Sequence, residues 1–122
     1  MASVLISDDD DAVRHMLRTA LERAGHQVVE GRNGAEGMSL YRSRPADLVI
    51  TDVFMPGQDG IETIQQLRAE YPRSRILAIS GGAVTGARST LLDAELFGAD
   101  ATLEKPFTVD RLSAAVRELL DG

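Results

Sequence analysis

The chain has 122 residues, of which 43% are hydrophobic and 26% charged, with a formal net charge of −6. This is the balance of one globular domain with a single core, and its acidity argues against nucleic acid or an anionic membrane as the primary partner. There is no cysteine, which removes disulfide frameworks and thiolate metal sites. No apolar run approaches the roughly 20 residues of a membrane span, and the N-terminus lacks the pattern of a signal peptide, so a cytoplasmic domain without membrane insertion is expected.

In chain order, "VLI" at Val4–Ile6 reads as a short strand and stops against four acids, Asp8, Asp9, Asp10 and Asp11. From Ala12 the apolar spacing becomes helical. Val13, Met16, Leu17, Ala20, Leu21 and Ala24 share one face, Arg14, Arg18, Glu22 and Arg23 lie mostly outside it, and Gly25 is placed as a left-handed cap. "HQVVE" is a second strand and "GRNG" a turn. Ala35 to Ser43 is a weaker helix with Met38 and Tyr41 inward. "DLVITD" is apolar almost throughout, as in a strand covered on both faces.

"PGQDG" is the next turn, and Asp59 within it reads as a turn or cap residue. Ile61, Ile64 and Leu67 stripe a third helix. "RILAIS" is a fourth strand, and "GGAVTG" the loop after it. Leu91, Leu92 and Leu96 mark a fourth helix ended by Gly98. "ATLE" is a fifth strand, and Thr108 caps a last helix striped by Leu112, Ala115, Val116, Leu119 and Leu120. His15 and His26 read as surface or structural. The reading expects a single domain over residues 1–122, with no output domain in this chain.

Strands alternating with helices imply an α/β fold. Its sheet is parallel, its crossovers are right-handed, and helices cover both faces. Functional groups in such sheets gather beyond the carboxyl ends of the strands. Asp8 and Asp9 follow strand one, Asp52 ends strand three, Ser80 strand four and Lys105 strand five. The polar residues that terminate apolar strands are therefore predicted to converge on one edge.

Three carboxylates brought together repel. Two unit charges about 4 Å apart cost roughly 4 kcal/mol at an effective dielectric of about 20. A proton or cation relieves this, and oxygen-only ligation points to Mg²⁺ or Mn²⁺. With a hydroxyl (Ser80) and an ammonium (Lys105) added, the edge offers donors to phosphoryl oxygens. An Asp carboxylate is then a possible nucleophile.

At this point "VLISDDDDAVRHML", "DLVITDVFMPGQDGIE", "ILAISGG" and "GADATLEKPF" together resemble the response-regulator receiver domain of bacterial two-component signalling, of the kind found in chemotaxis regulators. The resemblance covers essentially the whole chain. It implies a doubly wound, flavodoxin-like (βα)5 fold with strand order 2-1-3-4-5. Asp52 matches the phosphoacceptor. Asp8 and Asp9 match the acidic pair that holds Mg²⁺ together with Asp52 and the backbone carbonyl of Phe54. Ser80 matches the hydroxyl that contacts the phosphoryl group. Lys105 matches the lysine of the Lys-Pro pair, whose peptide bond is usually cis in the family. The implied partners are a histidine kinase or histidine phosphotransfer protein, and a downstream protein controlled through helix four, strand five and helix five.

Rival readings fare less well. An aspartyl-phosphate hydrolase needs an acid two residues after its nucleophile, where Phe54 stands. A flavin domain needs a phosphate-cradling loop where the four acids are. A receiver-like module that binds protein without phosphorylation is the main alternative, and the complete set of Asp8, Asp9, Asp52, Ser80 and Lys105 argues against it. The chain departs from the family pattern at Thr102, where many receivers have Tyr or Phe. A stiff β-branched side chain cannot act as a rotating ring, so the signal is expected to travel through the backbone between Gly81 and Gly86. The positions two past the acceptor and two past the hydroxyl, Phe54 and Gly82, offer no side chain that orients water.

Overall fold

The computed structural model describes residues 2–53, 60–81 and 98–121. Five strands form one parallel sheet: β1 (Ser3–Ser7), β2 (Gln27–Gly31), β3 (Leu48–Asp52), β4 (Ile76–Gly81) and β5 (Ala101–Lys105), in the order β2-β1-β3-β4-β5. The helices in the described residues are α1 (Asp11–Arg23), α2 (Gly34–Ser43), α3 (Gly60–Glu70) and a C-terminal helix (Val109–Asp121). The helix expected around Leu91–Leu96 lies outside the described residues, as do Phe54, Asp59 and the loop from Gly82 onward.

The period of two along each strand divides the core. Val4, Ile6, Leu48, Ile50, Leu77 and Ile79 face one side, where Leu17 and Leu21 of α1 and Leu112 and Val116 of the C-terminal helix cover them. Leu5, Val49, Ile76 and Ala78 face the other, against Met38 and Tyr41 of α2 and Ile64 and Leu67 of α3. Every residue of β3 is buried, as its unbroken apolar run predicts for a central strand between two helical layers.

Local chemistry fixes the boundaries. The Asp10 carboxylate caps α1, accepting from Ala12 N at 2.9 Å and Val13 N at 3.3 Å. Gly25, with φ +94°, turns the chain out of that helix. Asn33 Oδ1 accepts from Glu36 N and caps α2, while Glu36 Oε1 reaches back to accept from the N–H of Arg32, just before the cap. Thr108 Oγ1 accepts from Arg111 N at 3.1 Å, as expected of the last helix's cap.

Two side chains read into the first helix differ from their expected places. Ala24 is exposed at the helix end, where the chain is already leaving the core. Arg14, expected outside, is buried at 8% exposure. Its guanidinium turns inward because the Asp8 carbonyl, just before the helix, and the Asp11 and Glu30 carboxylates give it oxygen partners.

Candidate functional site

The run of four acids resolves into four placements. Asp8 is fully buried directly after β1. Asp9 is exposed, yet a carboxylate oxygen of Asp8, Asp9 and Asp52 can be chosen so that all three lie within 4.8 Å of one another. Asp10 is the helix cap. Asp11, in the first turn, pairs with the Arg14 guanidinium. The opening acidity therefore divides between a cluster at the sheet edge and the start of a helix whose unpaired N–H groups favour carboxylates.

Backbone contacts fix the first acid. Asp8 N donates to Gly31 O at 3.2 Å, which ties it to the end of β2. Asp10 N donates to Asp8 Oδ1 at 2.9 Å. Asp52 ends β3 at 6% exposure, and α3 begins hard against it. A Cβ placed on Gly60 would lie 1.9 Å from Asp52 O, so the absence of a side chain there permits the approach.

Lys105 reaches the cluster from the far end of the sheet. Its Nζ donates to Asp52 Oδ2 at 3.1 Å and to Asp8 Oδ2 at 3.3 Å. Gly81 of β4 is its register partner, so the long aliphatic stem crosses the end of β4 and brings the ammonium to the two acids. The Lys105–Pro106 peptide bond is cis. Burial raises the Asp8 pKa to about 6, and Asp52 adds to this. The Asp10 amide and Lys105 pull the other way. For Lys105, burial works against the ammonium, but Asp52 and Asp8 outweigh it and lift its pKa above the ordinary lysine value.

The predicted convergence of Asp8, Asp9, Asp52 and Lys105 is present. Ser80 is placed near the end of β4, paired in register with Glu104. Thr102 sits half-buried in β5 opposite Ala78. The residue the sequence reading missed is Arg14, whose Nη1 donates to the backbone oxygen of Asp8 at 2.7 Å. The one signal the sequence offered is its position, since a cation in a helix's first turn opposes the dipole.

The donor set fits a hard divalent cation. All its atoms are carboxylate oxygens, and one acid has a raised pKa that a cation would relieve. A cluster of three carboxylates and an ammonium bonded to two of them stand together at the carboxyl edge of a doubly wound sheet.

Comparison with known proteins agrees. Residues 4–117 match the response regulator receiver domain family. The response regulator MprA of Mycobacterium sp. (strain KMS) is 38% identical over 96% of this chain and 50% of its own length. The KDP operon transcriptional regulatory protein KdpE of Escherichia coli (strain K12) is 38% identical over 98% of this chain and 52% of its own. The chain thus spans about half the length of these curated relatives. Among solved structures, a response regulator receiver domain protein from Clostridium thermocellum superposes with a TM-score of 0.91 at 25% identity, covering 99% of this chain and 95% of that one. A second, described as a putative response regulator from Chloroflexus aurantiacus, gives 0.91 at 29% identity, covering 99% and 98%. The chain belongs to the response regulator receiver domain family.

Proposed function

We propose that this chain is the phosphoacceptor of a two-component relay and that Asp52 is the residue modified. The observation that carries the reading is the sharing of one ammonium, Lys105, between Asp52 and Asp8 at the carboxyl edge of the sheet. An Asp52 oxygen attacks phosphorus in the donor, a phosphohistidine of a histidine kinase or phosphotransfer protein. The P–N bond breaks, its electron pair returns to the imidazole, the imidazole takes up a proton, and an acyl phosphate remains on Asp52.

Asp8 and Asp9 with Asp52, and the carbonyl of Phe54 by family resemblance, would hold Mg²⁺ (or Mn²⁺), which neutralises charge on the phosphoryl oxygens. Lys105 supplies a second, fixed positive charge to the same oxygens. Ser80 lies on the strand that separates Asp52 from Lys105, where the resemblance assigns it a hydrogen bond to the phosphoryl group. The product changes the surface presented to a downstream protein. Among the described residues no helix is long and apolar enough to cross a membrane.

Intact-mass measurement after incubation with a low-molecular-weight acyl phosphate and Mg²⁺ tests the reading. One added phosphoryl group, absent in Asp52→Asn, is the expected result. A wild-type chain that gains none under these conditions refutes it.

A further inference from the structure

We infer that Arg14 is a positioning residue for the acidic pair, holding the peptide between Asp8 and Asp9 in the orientation that presents both carboxylates to a divalent cation. Arg14 sits in the first turn of α1 with its side chain only 10% exposed. Both facts are unfavourable by themselves. A buried guanidinium has lost its hydration, and a cation near a helix N-terminus opposes the helix dipole. An apolar side chain would cover the same surface without either cost, so the contacts Arg14 makes account for its presence.

Those contacts converge on the acidic loop. Nη1 donates to Asp8 O at 2.7 Å, Nη2 to Asp11 Oδ1, and Nε stands 3.5 Å from Glu30 Oε1 on β2. The Asp8 carbonyl belongs to a planar unit that also contains the Cα atoms of Asp8 and Asp9. Gripping its oxygen therefore orients both acids at once. The preceding amide of Asp8 is already held by Gly31 O, so the loop is tied to β2 on one side and to α1 on the other. Asp52 and Lys105 are the charged side chains that act on the Asp8 carboxylate. Arg14 acts through the backbone, in the manner of the outer groups that orient metal ligands.

This inference rests on the metal part of the proposed function, and the test separates the two. In the full 122-residue chain, Mg²⁺ titration calorimetry on Arg14→Met is expected to show affinity about tenfold weaker, the range for loss of a ligand-orienting partner. Arg14→Lys, which can still reach one oxygen, is expected to fall between Met and wild type. In metal-free protein the Asp10 amide, bonded to Asp8 Oδ1, should exchange faster in Arg14→Met. Phosphorylation should slow at low Mg²⁺ and recover at saturating Mg²⁺, a split that a general loss of stability does not produce.

A folded Arg14→Met with unchanged Mg²⁺ affinity and unchanged Asp10 exchange overturns the inference alone. If Arg14→Met does not fold, Arg14→Lys decides by the same measurements: weakened affinity supports the role and wild-type affinity overturns it. A wild-type chain that shows no Mg²⁺ binding overturns both this inference and the metal assignment.

Discussion

The Nζ of Lys105 lies 3.1 Å from Oδ2 of Asp52 although β4 runs between the strands that carry them. The pair is half of a shared arrangement, since the same ammonium reaches Asp8, directly after β1, one strand further away. One cation thereby holds together three strand ends, and in the proposed function it faces the oxygens of the transferred group.

Replacing Lys105 with Met keeps the stem and removes the charge. Phosphorylation of Asp52 is expected to slow about a hundredfold, the lower range for losing one preorganised electrostatic partner. Stability at neutral pH should fall by about 3 kcal/mol because two buried acids are left facing each other. Intact-mass time courses and urea unfolding measure the two effects, and an unchanged phosphorylation rate would reduce Lys105 to a structural counter-ion.

Asp8 predicts a pH dependence of defined sign. Its carboxyl titrates at 3.8 in an unperturbed chain and at about 6 in the fold. Between those values the folded state binds more protons than the unfolded one, so stability falls as pH rises. The favourable contribution of protonated Asp8 is complete below about pH 4 and lost through about pH 6, a change on the order of 2–3 kcal/mol. Metal-free Asp8→Asn should lack this step, so its stability relative to wild type should increase across that window. Parallel unfolding curves for the two chains from pH 4 to 7 would contradict the assignment.

The neighbouring acids should separate by experiment. Asp10→Ala removes the cap of α1 and is expected to cost about 1 kcal/mol, with the rise in melting temperature caused by Mg²⁺ preserved. Asp9→Asn should retain metal-free stability and lose most of that rise, because only the folded cluster binds the ion. Thermal unfolding with and without Mg²⁺ tests both. An Asp10→Ala chain that lost the Mg²⁺ effect would place the cap inside the metal site.

Gly60→Ala introduces a Cβ that would stand 1.9 Å from Asp52 O and 2.6 Å from Val53 Cα. Backbone cannot yield as a flexible side chain can, so α3 must move away from the end of β3. A loss of roughly 3 kcal/mol, at the upper end for overpacking, is expected. Phosphorylation should slow as well, because the displacement presses on the backbone of Asp52, the proposed acceptor. Chemical denaturation and intact-mass kinetics on the same sample would reveal either effect, and wild-type values in both would show that α3 has room to shift.

The order and type of the described elements were legible in the residues because they depend on short-range patterns. Alternating Val4, Leu5 and Ile6, the three-and-four spacing of Leu17 and Leu21, and the caps at Gly25 and Thr108 each act within a few positions of the chain. The carboxyl-edge rule carried Asp8, Asp9, Asp52 and Lys105 to one place without coordinates, since a parallel sheet aligns all its strand ends. The fates of individual charges were decided by tertiary structure. Asp8 became buried while Asp9 stayed exposed, because Gly31 on β2 and Lys105 on β5 supplied Asp8 with partners distant in sequence, and Arg14 turned inward toward the Asp8 carbonyl and Glu30 on β2. Periodicity classes a charged residue as outward, and only the burial of a specific oxygen, here the Asp8 carbonyl, makes the opposite orientation favourable. The approach of Gly60 to Asp52 is of the same kind, a contact between backbones that the sequence shows only as one glycine among 11.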